Sequence, residues 1–145
     1  MKINKIDHIS INVNDLSEAT AFFVELGLKV QAKWQLDGEQ LDKIVGLTGV
    51  KTECVGLGMQ DGDVWIELVK FHSPVDEEKR QQPLANTLGI RHICFAVDDL
   101  EAIVAKLKSN GTAIFSEIQQ YEESYKLCYV RGPEGIILEL AEKIS

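Results

Sequence analysis

The strongest constraint on the fold is an internal repeat with a spacing of 84 residues. Residues 6–30 read IDHISINVNDLSEATAFFVELGLKV, and residues 90–114 read IRHICFAVDDLEAIVAKLKSNGTAI. Eight of the 25 aligned positions are identical, and they include the pair His8 and His92. Because self-similarity at a fixed spacing indicates repeated structural units, the chain is expected to contain two copies of one module.

Each copy predicts a strand followed by a helix. Residues 6–13 alternate between polar and apolar side chains, which is the pattern of a half-buried strand. Asp15 and Asp99 are the predicted N-caps of the two helices, and Gly27 and Gly111 are the predicted terminators. The repeat therefore extends from the sequence identities to the signals that start and stop each helix.

Further strands complete each copy. The segments VWIELVKF (64–71) and GIILELAEK (135–143) are predicted to be the last strands, each preceded by a hairpin partner. The first hairpin is expected to turn at DGD (61–63). Residues 33–51 are interpreted as a short helix and a loop, and SEIQQYEESYK (116–126) as a loop.

These elements predict an α+β fold within one domain, residues 1–145. A first βαβββ module is expected over about 1–72 and a second over about 89–145. The polar, proline-bearing segment of about 73–88 is predicted to be the linker between them. If the two modules form one curved mixed sheet with the helices outside, the remaining strand faces line a cleft.

Composition narrows the function. The net charge of −8 argues against a nucleic-acid partner, because binding phosphates requires a basic face. The sequence contains no run of 18 apolar residues, and its first residues lack the apolar stretch of a signal peptide. A cytoplasmic location is therefore expected, and a membrane role is not. The three cysteines lack metal-finger spacing and are interpreted as free thiols; they are Cys54, Cys94 and Cys128.

Four ionisable side chains lie mid-strand, on the faces that do not pack against the helices. They are His8, Glu67, His92 and Glu139. Alternation places each carboxylate opposite two apolar neighbours. A carboxylate in such a place costs several kcal/mol unless it is paired or coordinated, so the four together favour a bound cation. Nitrogen and oxygen donors suit Zn, Ni, Co, Mn or Fe(II).

Simpler interpretations exist for each residue taken alone. A single strand histidine is more often packed or exposed than ligating, and Glu67 or Glu139 could face solvent on an open sheet. Occurrence of the pattern in both copies argues against these alternatives. Cys94 is on the His92 face but is interpreted as a small packed thiol. His72 is interpreted as a surface residue.

The chain resembles the vicinal oxygen chelate superfamily, which includes glyoxalase, bleomycin-resistance and extradiol-dioxygenase proteins. The matching segments are IDHISINVNDLSEA, IELVKF, IRHICFAVDDLEA and YVRGPEGIILELAE, and the likeness covers nearly the whole chain. The resemblance implies two βαβββ modules around a divalent metal, often in a homodimer that completes the site. It also implies that His8, Glu67, His92 and Glu139 are the ligands, as in bacterial-type glyoxalase I.

The resemblance implies a lyase or isomerase that transfers a proton next to a metal-bound carbonyl of a small substrate, as lactoylglutathione lyase does. In that role Glu139 is a ligand and the proton-transfer base, and Glu67 is its counterpart. Extradiol dioxygenases and fosfomycin-modifying transferases have histidine at the Glu67 position and match less well. Two alternatives stay open: a methylmalonyl-CoA epimerase-like isomerase, which usually has Gln there, and a non-catalytic binding or resistance protein.

Two departures from glyoxalase I concern the substrate. The first strand, HISINVND, lacks the arginine that follows the first histidine in glyoxalase I, so glutathione is not established as the cosubstrate. The segment 33–59 is longer than in the short glyoxalase form and is expected to shape the pocket differently.

Overall fold

The computed structural model describes residues 1–60, 62–115 and 117–144. The chain divides into two compact units, Met1–Lys79 and Arg80–Ser145. Within the described residues, no helix is both long and apolar enough to cross a membrane.

The first unit contains one four-stranded mixed sheet. Its strands follow the spatial order β1-β4-β3-β2, with β1 parallel to β4 and the other neighbours antiparallel. Two helices interrupt the strands along the chain. The elements are β1 (His8–Asn12), α1 (Leu16–Leu26), β2 (Lys29–Asp37), α2 (Glu39–Val45), β3 (Lys51–Gly58) and β4 (Trp65–Ser73).

The second unit contains a five-stranded mixed sheet of the same plan. Its main path is β5-β9-β8-β6, with β5 parallel to β9 and β7 paired to β8. The elements are β5 (His92–Ala96), α3 (Leu100–Ser109), β6 (Ala113–Ile114), β7 (Gln119–Tyr121), β8 (Tyr125–Arg131) and β9 (Ile137–Lys143). The α+β class and the repeated modules are thus confirmed, whereas joining of the modules into one curved sheet within one domain stays a prediction.

Each sheet buries one face beneath its helix. In the first unit, Phe23 of α1 and Leu68 of β4 are fully buried. In the second, Leu138 and Leu140 of β9 are fully buried, and α3 packs on the same strand. Glu139, between these two leucines, faces the other way, with 19% of its side chain exposed. The predicted alternation is therefore confirmed on the strands that hold the candidate ligands, but His8 and His92 are the first residues of β1 and β5 rather than mid-strand.

Local signals set the helix ends as expected. The Asp15 carboxylate accepts a hydrogen bond from the backbone N–H of Glu18 at 2.9 Å, and Asp99 caps α3 through the N–H of Ala102 at 3.1 Å. Gly27 closes α1 with φ of 122°. These bonds satisfy N–H groups that the first turn leaves without helical partners.

The structure differs from the sequence interpretation in two segments. Residues 33–37 belong to strand β2, although the short helix expected in 33–51 is present as α2. Part of the expected loop 116–126 is a hairpin, because Gln119–Tyr121 pairs with β8. Both strands are largely exposed. KVQAKWQLD of β2 alternates between polar and apolar residues, which is a strand pattern, whereas QQY of β7 lacks that pattern and depends on its pairing with β8. Asp61 of the predicted turn and Ser116 of the predicted loop lie outside the described residues.

Candidate metal site

In the first unit the parallel pairing of β1 and β4 brings His8 towards Glu67. The His8 Nε2 and Glu67 Oε1 atoms are 4.0 Å apart, and 37% and 20% of the two side chains are exposed. Ser10 is the register partner of Glu67 and donates a hydrogen bond to its Oε1 at 2.9 Å. The carboxylate is thus partly buried and held by a neutral donor, and among the described residues no lysine or arginine forms an ion pair with it.

A second carboxylate orients the His8 ring. The His8 Nδ1 and Asp7 Oδ2 atoms are 2.8 Å apart, and this hydrogen bond is the main cause that lowers the pKa of Asp7. With Nδ1 protonated as the donor, Nε2 is left with its lone pair towards Glu67. Carboxylate–histidine pairs of this kind commonly support metal-binding histidines, because they fix both the tautomer and the ring orientation.

Aromatic rings flank the same sheet face. Trp65 stacks on His8 with ring centroids 4.4 Å apart, and Trp34 meets Trp65 edge-on at 6.0 Å. Gly56 lies beneath both indoles, since an added Cβ would come within 3.2 Å of Trp34 and 3.4 Å of Trp65. The face therefore combines two candidate ligands with an apolar, aromatic surface.

In the second unit, β5 and β9 bring His92 and Glu139 together in the same way. The His92 Nε2 and Glu139 Oε1 atoms are 3.3 Å apart, and 34% of the His92 side chain is exposed. The Tyr129 ring lies 5.0 Å from the His92 ring, and Tyr129 is the register partner of Glu139 on β8. Burial, then the charge of Glu139, raises the pKa of Tyr129, so the phenol is neutral at neutral pH.

The position of Cys94 corrects the interpretation of this residue as a packed thiol. Cys94 is exposed, and its Sγ lies 3.5 Å from Glu139 Oε2. Partial burial and the adjacent carboxylate raise the pKa of the thiol to about 11, so it is protonated and weakly nucleophilic at neutral pH. His72 is a surface residue as expected, and its ring contacts Glu53 at 3.0 Å.

The donors of each pair fit a divalent cation. Ligand atoms about 2.1 Å from one ion can be at most about 4.2 Å apart, and the separations of 4.0 and 3.3 Å both satisfy this limit. Imidazole nitrogen with carboxylate oxygen suits first-row transition metals and zinc. One pair alone supplies two donors, whereas such ions usually take four to six ligands.

Another acidic cluster, Asp99, Glu101 and Glu142, lies at the start of α3. Lys126 Nζ lies 2.7 Å from Glu101 and 3.3 Å from Glu142, so the Lys126 ammonium group forms ion pairs with two of these carboxylates. Glu142 also accepts a hydrogen bond from the N–H of Leu100 at 2.8 Å. The cluster is explained by an ion pair and by helix capping.

The family assignment follows from sequence comparison. The model of the glyoxalase/bleomycin resistance protein/dioxygenase superfamily matches residues 5–140. The chain belongs to this superfamily. Members of this superfamily typically use divalent metals, in agreement with the donor types at both His–Glu pairs.

Similar proteins match nearly the whole chain. A glyoxalase family protein of Bacillus cereus has 34% identity and a TM-score of 0.94, with 100% of this chain and 97% of that one covered. Uncharacterized protein YwbC of Bacillus subtilis is 30% identical over 96% of this chain and 98% of its own length. A lactoylglutathione lyase of Schizosaccharomyces pombe is 24% identical over 99% of this chain, which matches 49% of that protein.

The structure adds side chains that sequence reasoning missed. Asp7, Ser10, Tyr129 and Trp65 each contact a candidate ligand. The sequence does place Asp7 directly before His8, and an adjacent carboxylate can support a ligating imidazole, so this contact could have been predicted. The contacts made by Ser10 and Tyr129 depend on strand register, which the local pattern does not give.

Proposed function

We propose that this protein is a divalent-metal-dependent lyase or isomerase. It would transfer a proton from the carbon next to a carbonyl group to the adjacent carbon, as in the lactoylglutathione lyase reaction. The proposed ligands are His8, Glu67, His92 and Glu139. The observation that supports the proposal best is the presence of one partly buried His–Glu pair at equivalent positions of both units. In the proposal these four side chains bind one ion, either within one chain or across a homodimer.

The chemistry of the substrate follows from these groups. A bound divalent ion would act as a Lewis acid that polarises a carbonyl and acidifies the neighbouring C–H bond. In the proposal, the Glu139 carboxylate takes the proton from one carbon and, as the carboxylic acid so formed, returns it to the adjacent carbon, while the hydroxyl proton of the substrate moves to the neighbouring oxygen. Glu67 is the counterpart on the other unit. Atoms balance without an oxidant or reductant, because the product is an isomer of the substrate.

The proposed assignment of Glu139 as the base draws on its surroundings. Its neighbours are the neutral phenol of Tyr129 and the neutral thiol of Cys94, and no ammonium or guanidinium group lies within ion-pair distance among the described residues. Such surroundings leave the carboxylate able to accept a proton. A base of this kind contributes about 10²–10⁴-fold to the rate of a proton transfer.

Turnover of matched substrates tests the proposal. Protein stripped of metal and then loaded with Ni²⁺, Co²⁺ or Zn²⁺ is assayed with the hemithioacetals that methylglyoxal forms with glutathione and with a second thiol, and with methylmalonyl-CoA. We expect metal-dependent isomerisation of a hemithioacetal. Turnover of methylmalonyl-CoA alone would favour the epimerase-like alternative. Absence of metal-dependent turnover with all of them would contradict the lyase assignment.

A second candidate function is binding of a small molecule without chemistry. The superfamily name includes bleomycin resistance proteins, and the Trp34–Trp65 pair offers an aromatic surface beside His8. The chain has two tryptophans, so their fluorescence reports ligand binding at this face directly. Tight binding of a planar aromatic ligand to metal-free protein, with no turnover, would favour this candidate over the enzyme.

A further inference from the structure

Ser10 and Cys94 occupy the same position in the two units. The 84-residue spacing of the repeat aligns them, and each lies two residues after its histidine. Each is also the register partner of its carboxylate: Ser10 of Glu67 on β4, and Cys94 of Glu139 on β9. The repeat has therefore kept a side-chain donor next to each carboxylate while the donor itself differs.

The two donors differ in strength. The Ser10 hydroxyl donates to Glu67 Oε1 at 2.9 Å, whereas the Cys94 sulfur lies 3.5 Å from Glu139 Oε2. A hydroxyl–carboxylate bond is a strong, charge-assisted hydrogen bond, and a thiol is a weak donor. Glu67 is consequently held more firmly than Glu139 by the residue beside it.

The oxygen that each donor contacts also differs. Ser10 binds the Oε1 atom of Glu67 that lies nearer to His8 Nε2. Cys94 contacts Oε2 of Glu139, which leaves the Oε1 atom towards His92. The opposite neighbours differ as well, because Tyr129 pairs with Glu139 where Gly56 pairs with Glu67. The two carboxylates thus differ both in the oxygen that accepts the hydrogen bond and in the residue paired opposite them.

We propose that Ser10 and Cys94 are positioning residues, and that the stronger Ser10 contact makes Glu67 the fixed ligand while the weaker Cys94 contact lets Glu139 reorient. This inference rests on the proposed function, since it assigns separate tasks to two carboxylates of one metal site. A carboxylate that ligates an ion and also carries a proton must change its contacts during turnover. A carboxylate that only ligates benefits from a rigid hydrogen bond.

Exchange of the two donors tests this assignment with metal alone. The affinity for Co²⁺ and the rate of Co²⁺ release to EDTA are measured from the visible absorption of the ion, in wild type and in the variants Ser10→Ala, Ser10→Cys, Cys94→Ser and Cys94→Ala. Loss of a residue that orients a ligand costs about 10- to 100-fold in metal affinity, so Ser10→Ala is expected to weaken binding by that factor. Ser10→Cys should fall between Ser10→Ala and wild type.

The reciprocal change separates positioning from packing. Cys94→Ser places at Glu139 the donor that Ser10 supplies at Glu67, so it should slow Co²⁺ release and tighten binding by at least about twofold. Cys94→Ala should stay within about twofold of wild type, as expected when a weak donor is lost. The control Ser17→Ala removes an exposed serine from α1 and should leave both measurements unchanged.

The outcomes distinguish this inference from the proposed function. If wild-type protein binds no Co²⁺, the proposed function and the inference both fail. If wild type binds Co²⁺ but Ser10→Ala stays within twofold of it, or if Cys94→Ser weakens binding, the positioning inference alone is overturned. Thermal melting of each metal-free variant shows whether it folds. If an alanine variant does not fold, the Co²⁺ affinities of the near-isosteric variants Ser10→Cys and Cys94→Ser decide the test.

Discussion

His92→Ala is expected to lower the affinity for Co²⁺ or Zn²⁺ by more than about a hundredfold. Loss of a residue that merely orients a ligand costs about 10- to 100-fold, so loss of a direct ligand should cost more. The fold should survive, because the side chain is 34% exposed and its ring contacts Tyr129 at a centroid distance of 5.0 Å. The free energy of unfolding of the metal-free variant should therefore lie within about 1 kcal/mol of that of metal-free wild type.

His72→Ala is the matched control for this prediction. His72 also pairs with a carboxylate, Glu53 at 3.0 Å, but strand alternation places it on the face of β4 opposite to Glu67. The control should bind metal like wild type. Isothermal titration of both metal-free variants, with melting curves, makes the comparison, and a His92→Ala protein that keeps wild-type affinity would remove His92 from the proposed site.

Glu139→Gln is expected to reduce turnover by about 10²–10⁴-fold on whichever substrate the wild type isomerises, because an amide cannot accept the transferred proton. The amide oxygen can still ligate, so metal affinity should fall less than in His92→Ala. The variant keeps the shape of the side chain beside Cys94 and Tyr129, and a small change in stability is expected. Turnover number and metal content are measured on the same preparation.

Two further variants complete the Glu139 experiment. Glu53→Gln removes an exposed carboxylate that contacts His72 and should leave turnover unchanged. Glu67→Gln tests the counterpart carboxylate, and in the proposal it weakens metal binding more than Glu139→Gln does. Turnover by Glu139→Gln at the wild-type rate, with metal bound, would show that another group transfers the proton.

The parts of the fold that follow from local sequence could be predicted. Asp15 and Asp99 cap their helices, and the alternation around Glu67 and Glu139 places both carboxylates on the face away from the helices, as their sequences indicate. These features depend on a few consecutive residues. Helix caps and strand alternation act over one turn or one strand, so one sequence is sufficient to identify them.

Features that depend on distant partners could not be predicted. The contact between Ser10 and Glu67 joins residues 57 positions apart and requires the parallel register of β1 and β4. Residues 33–37 are a different case, because the alternation of KVQAKWQLD indicates the strand that pairs with β3, and only the interpretation of 33–51 as a helix and loop was wrong there. Cys94 was interpreted as packed because its residue type is usually buried, whereas its neighbours leave it exposed.

The central claim is that the two His–Glu pairs serve one divalent ion. Metal-free wild-type protein titrated with Co²⁺, with the bound ion counted by mass spectrometry of the digested sample, tests it most directly. The claim predicts one tightly bound ion per chain, and it predicts that His8→Ala and His92→Ala each abolish that binding. Two ions per chain, each lost in only one of these variants, or no tightly bound ion at all, would contradict it.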